Sequence, residues 1–183
     1  MKKIKFLCLS ISLFFLGFKT AIAQNTEWSV VTSTVTFKIK NAGFTVDGTF
    51  GGLKAKIMFD ASKSFSNTIE ATVEAKTLNT GSTGRDNHLK KEEYFGVDKH
   101  PIISLTASTF AKQPDGSFKG YFKLTIKNTT KDVLIPFTFT EKEGKGKFSG
   151  KFTIDRRDYG VGESSMILSD NVTIIIEANV IKK

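Results

Sequence analysis

A period-two alternation returns in eight separate segments of this 183-residue chain, with bulky apolar side chains on one face and Lys, Thr, Ser or Glu on the other. In Lys147 to Asp155, Phe148, Phe152 and Ile154 alternate with Lys147, Ser149, Lys151, Thr153 and Asp155, as a strand with one dry and one wet face requires. Repetition of that pattern predicts an all-β fold, an extended eight-stranded antiparallel barrel with an apolar interior. A barrel of about eight strands has room inside either for its own side chains or for one small ligand. The alternation does not separate these two outcomes.

The first residues stand apart from the pattern. Lys2, Lys3 and Lys5 precede an apolar run from Phe6 to Phe18, and Ala21-Ile22-Ala23 follows. A charged start, a short apolar stretch and small residues before a cut define a secretory signal peptide, and the stretch is shorter than the ~20 residues a membrane span needs. Residues 1–23 are therefore expected to be cleaved. Residues 24–183 form one domain with a sizeable core, exported to the periplasm or secreted. The one cysteine, Cys8, lies in the leader, so the mature barrel forms without disulfides or thiolate chemistry.

Four lysines leave with the leader, which reduces the formal charge from +9 to +5. The remaining lysines are spread over the outer faces of several strands, a solvated surface and not a nucleic-acid footprint. Transient contact with an anionic membrane surface and a homodimer stay open as partnerships.

Along the mature chain, strands are expected at Glu27–Lys40, Leu53–Phe59, Thr68–Lys76, Ile102–Phe110, Ser117–Lys127, Val133–Thr140, Lys147–Asp155 and Val172–Ile181. Gly43, Gly48 and Gly51-Gly52 read as a turn-rich passage between the first two. Pro136 lacks a backbone donor and calls for a bulge or a free edge in its strand. Between strands three and four the alternation stops, and a short helix is expected from about Asp86 to Phe95. Asp86 would be its N-cap, and Leu89, Tyr94 and Phe95 would face the barrel. Gly160 to Ser164 reads as a flexible connection.

Catalytic machinery is scarce. The mature chain offers His88 and His100 and no cysteine, so no metal site, cofactor or enzymatic reaction is expected. Apolar binding needs no such groups, because each methylene withdrawn from water contributes about 0.8 kcal/mol. The chain has 17 phenylalanines, of which only Phe6, Phe14, Phe15 and Phe18 belong to the leader. Those of the mature chain fall mostly on dry faces.

Four stretches in order along the chain carry a family resemblance: Ser33 to Lys40 with Gly48-Thr49-Phe50; Arg85-Asp86-Asn87-His88-Leu89 with Phe95 and His100-Pro101-Ile102-Ile103; Leu124-Thr125-Ile126-Lys127 with Thr130-Lys131; and Ile154 to Gly160 with Ser169-Asp170-Asn171-Val172. In these the mature chain resembles the YceI-like family of exported polyisoprenoid-binding proteins, which have a lipocalin-like barrel. The chain departs from the family's habit at Asn41, where His is frequent, and at Asn128, where Gly is frequent. The resemblance implies a long apolar tunnel that holds an isoprenoid chain, such as a quinone tail or polyprenyl lipid, without covalent attachment or catalysis.

Lining candidates follow from the dry faces. They are Phe37 and Ile39 of the first strand, Ile57 of the second, Ile69 and Val73 of the third, and Leu105 of the fourth. The fifth offers Phe122, Leu124 and Ile126, the sixth Phe137 and Phe139, the seventh Phe152 and Ile154, and the eighth Ile174 and Ile176. Arg85, Asp86 and His88 are candidates for the mouth, where they would meet a polar head group.

Overall fold

A computed structural model of the chain describes residues 26–63 and 66–183. The leader and its cleavage point lie outside these residues. The strands are β1 (Glu27–Asn41), β2 (Phe44–Phe50), β3 (Lys54–Met58), β4 (Thr68–Glu74), β5 (Ile102–Ala107), β6 (Phe110–Lys112), β7 (Phe118–Ile126), β8 (Thr129–Lys142), β9 (Lys145–Asp155) and β10 (Leu168–Lys182), with one α-helix, α1 (Thr83–Leu89).

All pairings between these strands are antiparallel. Their order runs β10-β9-β8-β7-β5-β4-β3-β1, and β1 pairs back to β10 to close the wall. β2 and β3 both lie against β1, and β5 and β6 both lie against β7, so each pair fills one position and the barrel has eight. A closed wall leaves no long edge to recruit another chain.

The glycine-punctuated passage after the first strand is not simply turns. Only Ala42-Gly43 forms the reversal, with φ of 49° and 84°, and β2 continues through Gly48. A Cβ at Gly48 would overlap the ring of Phe37 on the neighbouring strand, so the glycine gives that ring its place in the wall. The fourth expected strand is interrupted at Ser108-Thr109, between β5 and β6.

The helix is shorter and earlier than the sequence implied. It ends at Leu89, and the Phe95 N–H donates to the Leu89 carbonyl while Gly96 turns at φ 53°. Its N-cap is Ser82 and not Asp86, because the Asp86 carboxylate is engaged from one turn upstream: it accepts from the Thr80 backbone N–H at 2.8 Å and hydroxyl at 2.6 Å.

Pro136 acts as its missing donor requires. The ladder between β8 and β9 runs from Phe137↔Gly150 to Lys142↔Lys145 and stops there, which leaves β8 from Thr129 to Pro136 paired only with β7.

Inside, the two ends of the barrel differ. At the end where β1 begins, Phe59 is 0% exposed and meets Phe110, Phe118, Phe137, Phe139 and Phe148 at ring-centroid distances of 5.1 to 5.9 Å. All five contacts are edge-to-face, the arrangement in which the ring quadrupoles attract. Trp28 joins Phe139 at 5.2 Å, and its indole N–H donates to the Phe59 carbonyl at 2.8 Å. These rings close that end of the barrel from within.

Candidate ligand-binding site

Above this aromatic plug the barrel is hollow. A cavity of about 240 Å³ runs toward the end where β1 finishes, far more than the roughly 15 Å³ that one water needs. Its lining on β10 extends from Leu168 to Ala178; ten steps of about 3.3 Å along a tilted strand make it elongated. Phe122, Phe137 and Phe148 belong to both the lining and the core, and they form the floor.

Fourteen of the fifteen lining candidates line this cavity. Phe139 does not. It points inward as the alternation requires, but it lies in the plug between Trp28, Phe59 and Phe148, 4.5 Å from the last. Lining residues that the candidates omitted include Val35, Phe50, Leu53, Ala55, Ile103 and Leu168. Val35, Leu53 and Ala55 already stood on the expected dry faces, whereas Phe50 came with the strand that the glycines concealed.

A cover lies over part of the hollow. Leu89, Tyr94 and Phe95 all line it, as the apolar edge of this segment required. Phe95 meets Phe50 edge-on at 5.5 Å, and Phe50 meets Phe37 at 5.6 Å. The cover is fastened to the loop after β9, since the Gly162 N–H donates to the Glu93 carbonyl at 2.8 Å. Lys127 sits between them and donates to the Glu92 and Gly160 carbonyls at 2.9 Å each.

Of the three residues proposed for the mouth, only Arg85 reaches the cavity. Its guanidinium also donates to the Thr80 hydroxyl at 2.8 Å and carbonyl at 2.9 Å, so Arg85 and Asp86 grip Thr80 from two sides. The Thr80 hydroxyl, ahead of its backbone N–H, holds the Asp86 carboxyl below the usual carboxylate range. A carboxyl held low keeps its hydrogen bonds at neutral pH and loses them only as pH falls through that lowered value. His88 does not line the cavity; its ring rests 4.9 Å from that of Tyr94.

The loop after β9, expected to be a flexible connection, is pinned by a buried cation. Arg156 is 4% exposed. Its guanidinium donates to the carbonyls of Ser169 at 3.0 Å, Val161 at 2.8 Å and Glu163 at 2.8 Å, and to the Asp170 carboxylate at 2.9 Å. A charge withdrawn from water survives when its donors are met in this way. Sequence could have flagged the pair, because Arg156 and Asp170 both stand in the stretches that carried the resemblance.

Tyr159, in the same turn, is buried and its hydroxyl has no hydrogen-bond partner. Burial pushes its pKa up to about 12, with the Asp158 charge a smaller contribution. An unmet buried hydroxyl costs ~1 to 3 kcal/mol. Tyr159→Phe is therefore expected to raise stability by about 1 kcal/mol in chemical denaturation; a loss of stability would mean that the hydroxyl has a partner in solution.

Among the described residues no three His, Cys, Asp or Glu side chains come together as a metal site. The cavity surface is nearly all carbon, with Asn41, Thr72, Thr80, Arg85, Ser104 and Arg156 among its few polar members. Chemically it can hold an apolar chain and orient a polar end near its rim.

Residues 28–180 match the YceI-like domain. The chain belongs to the YceI-like family. A curated relative of this barrel, a UPF0312 protein of Pseudomonas fluorescens, is 29% identical over 163 residues, which cover 81% of each chain. Among solved structures, Burkholderia cenocepacia BcnA superposes with a TM-score of 0.77 at 22% identity, covering 80% of this chain and 95% of that one. A Campylobacter jejuni YceI protein gives 0.70 at 27% identity, covering 75% and 85%. A polyisoprenoid-binding domain from Saccharophagus degradans, implicated in plant cell wall breakdown, gives 0.64 at 11% identity, covering 87% and 99%. Together they establish the YceI-like barrel as the fold.

Proposed function

We propose that this protein is a non-catalytic carrier, exported from the cytoplasm, that holds the tail of an isoprenoid lipid or isoprenoid quinone in the upper half of its barrel. The observation that carries the reading is a 240 Å³ elongated hollow with an almost wholly carbon lining. Such a space stays dry without an occupant and gains free energy roughly in proportion to the apolar area it shelters. The polyisoprenoid-binding neighbour from S. degradans supports an isoprenoid as the ligand class, and the Lys-rich apolar leader supports export. Arg85 at the rim is the group that would meet a polar head.

A plugged barrel with no lipid ligand is the second reading, and the Phe59 cluster favours it for one end of the molecule. Native mass spectrometry on protein purified without detergent, before and after addition of a prenyl quinone, separates the two. The carrier is expected to retain or take up one apolar molecule. Gly48→Ala, which forces the Phe37 ring out of its niche and toward the cavity, is expected to weaken that uptake about tenfold, the effect of losing one or two buried methylenes. Repeated recovery of bare protein with no uptake would leave the plugged barrel standing.

A further inference from the structure

Three strongly exposed apolar side chains among the described residues, including the two most exposed, lie on one rim. Phe44, at the start of β2, is 77% exposed, and Met166 and Ile167, just before β10, are 104% and 62% exposed. They come from distant parts of the chain but are held as one ledge. The Ala42 N–H donates to the Ile167 carbonyl at 2.8 Å, and Asn41 stands opposite Phe44 on one side and Leu168 on the other. Contiguous apolar surface left in water marks a contact, whereas single scattered residues do not.

The position of the ledge says what it touches. Asn41 and Leu168, the residues that join its two halves, both line the cavity, so the ledge is the outer continuation of the cavity wall. A molecule that fits a carbon-lined hollow has its favourable alternative environment in the acyl region of a bilayer, not in water. Exposed Lys40 sits beside the turn, opposite Thr45, where a cation meets anionic head groups. A second copy of the chain fits poorly, because three side chains are far short of the ~800 Å² per partner that a stable interface buries.

We propose that this ledge docks the barrel on a lipid bilayer, with Phe44, Met166 and Ile167 entering the boundary between head groups and acyl chains and the mouth of the cavity turned to the membrane. The inference deepens the carrier reading and rests on it for its purpose, but the docking itself needs no cargo. Interfacial insertion of this kind draws its strength from buried apolar area plus attraction to anionic lipid.

Flotation of the purified protein with vesicles of phosphatidylethanolamine and phosphatidylglycerol tests it. Binding is expected for the wild type, weaker by about tenfold for each of Phe44→Ser, Met166→Ser and Ile167→Ser, and lost in the triple variant. Tyr121→Ser with Leu134→Ser, an exposed apolar pair facing each other on the barrel wall, is expected to leave vesicle binding unchanged. The triple variant should melt like the wild type and take up prenyl quinone in vesicle-free solution as the wild type does. Unchanged flotation of the triple variant would overturn the proposal. So would a wild type that ignores vesicles, or one that forms a dimer abolished by the same substitutions. Vesicle binding that follows the ledge in a protein that takes up no quinone would sink the carrier reading alone.

Discussion

Phe59→Ala is expected to destabilise the protein by about 3 to 5 kcal/mol and to lower its melting temperature by roughly 10 °C, while uptake of an apolar ligand changes little. Phe59 holds five other rings edge-on, is 0% exposed and is not a lining residue. Its removal leaves a void below the floor that the surrounding strands cannot collapse to fill, since their hydrogen bonds fix the wall. Thermal melting and quinone titration on the same preparation check both halves of the expectation. A variant that melts normally but no longer binds would mean that the hollow extends through the position of Phe59.

Arg156→Met is the second large effect, expected at about 3 kcal/mol. Methionine keeps the apolar stem but leaves the Ser169, Val161 and Glu163 carbonyls without their donor and deprives Asp170 of its closer cation. Arg157 reaches the same carboxylate at 3.2 Å, so the anion itself is not abandoned and the cost falls mainly on the carbonyls. Amide hydrogen exchange should rise across residues 156–171, Gly162 included, whose N–H ties the cover, and should not change in β4 and β5. Arg156→Lys should recover little, because an ammonium cannot span four acceptors with a planar fork. Uniform protection across the loop in Arg156→Met would show that the backbone holds itself without the cation.

The sequence disclosed most of the barrel because alternation reports which face a residue occupies, and a closed sheet has only two faces. That is why Ile69, Leu124 and Ile174 could be placed on the interior wall from their neighbours alone. Alternation says nothing about height along the axis. Phe137 and Phe139 are indistinguishable by period, yet one forms the floor of the hollow and the other fills the plug. The same limit left filled and hollow interiors open, and the barrel is filled at one end and hollow at the other. β2 was concealed because its glycine reads locally as a turn, whereas its reason is the Phe37 ring across the sheet. Asp86 has a good N-cap composition, but a hydroxyl six residues earlier competes for its carboxylate. No local pattern discloses such a tertiary competitor.

The Phe59 cluster has a kinetic consequence. A container sealed at its base is a cul-de-sac, so arrival and departure share one doorway and cannot proceed at once. On the carrier reading, exchange would then be sequential, because an incoming guest could not push a resident one out through the back. On that reading, a guest longer than the hollow would keep its surplus length outside, at the same doorway.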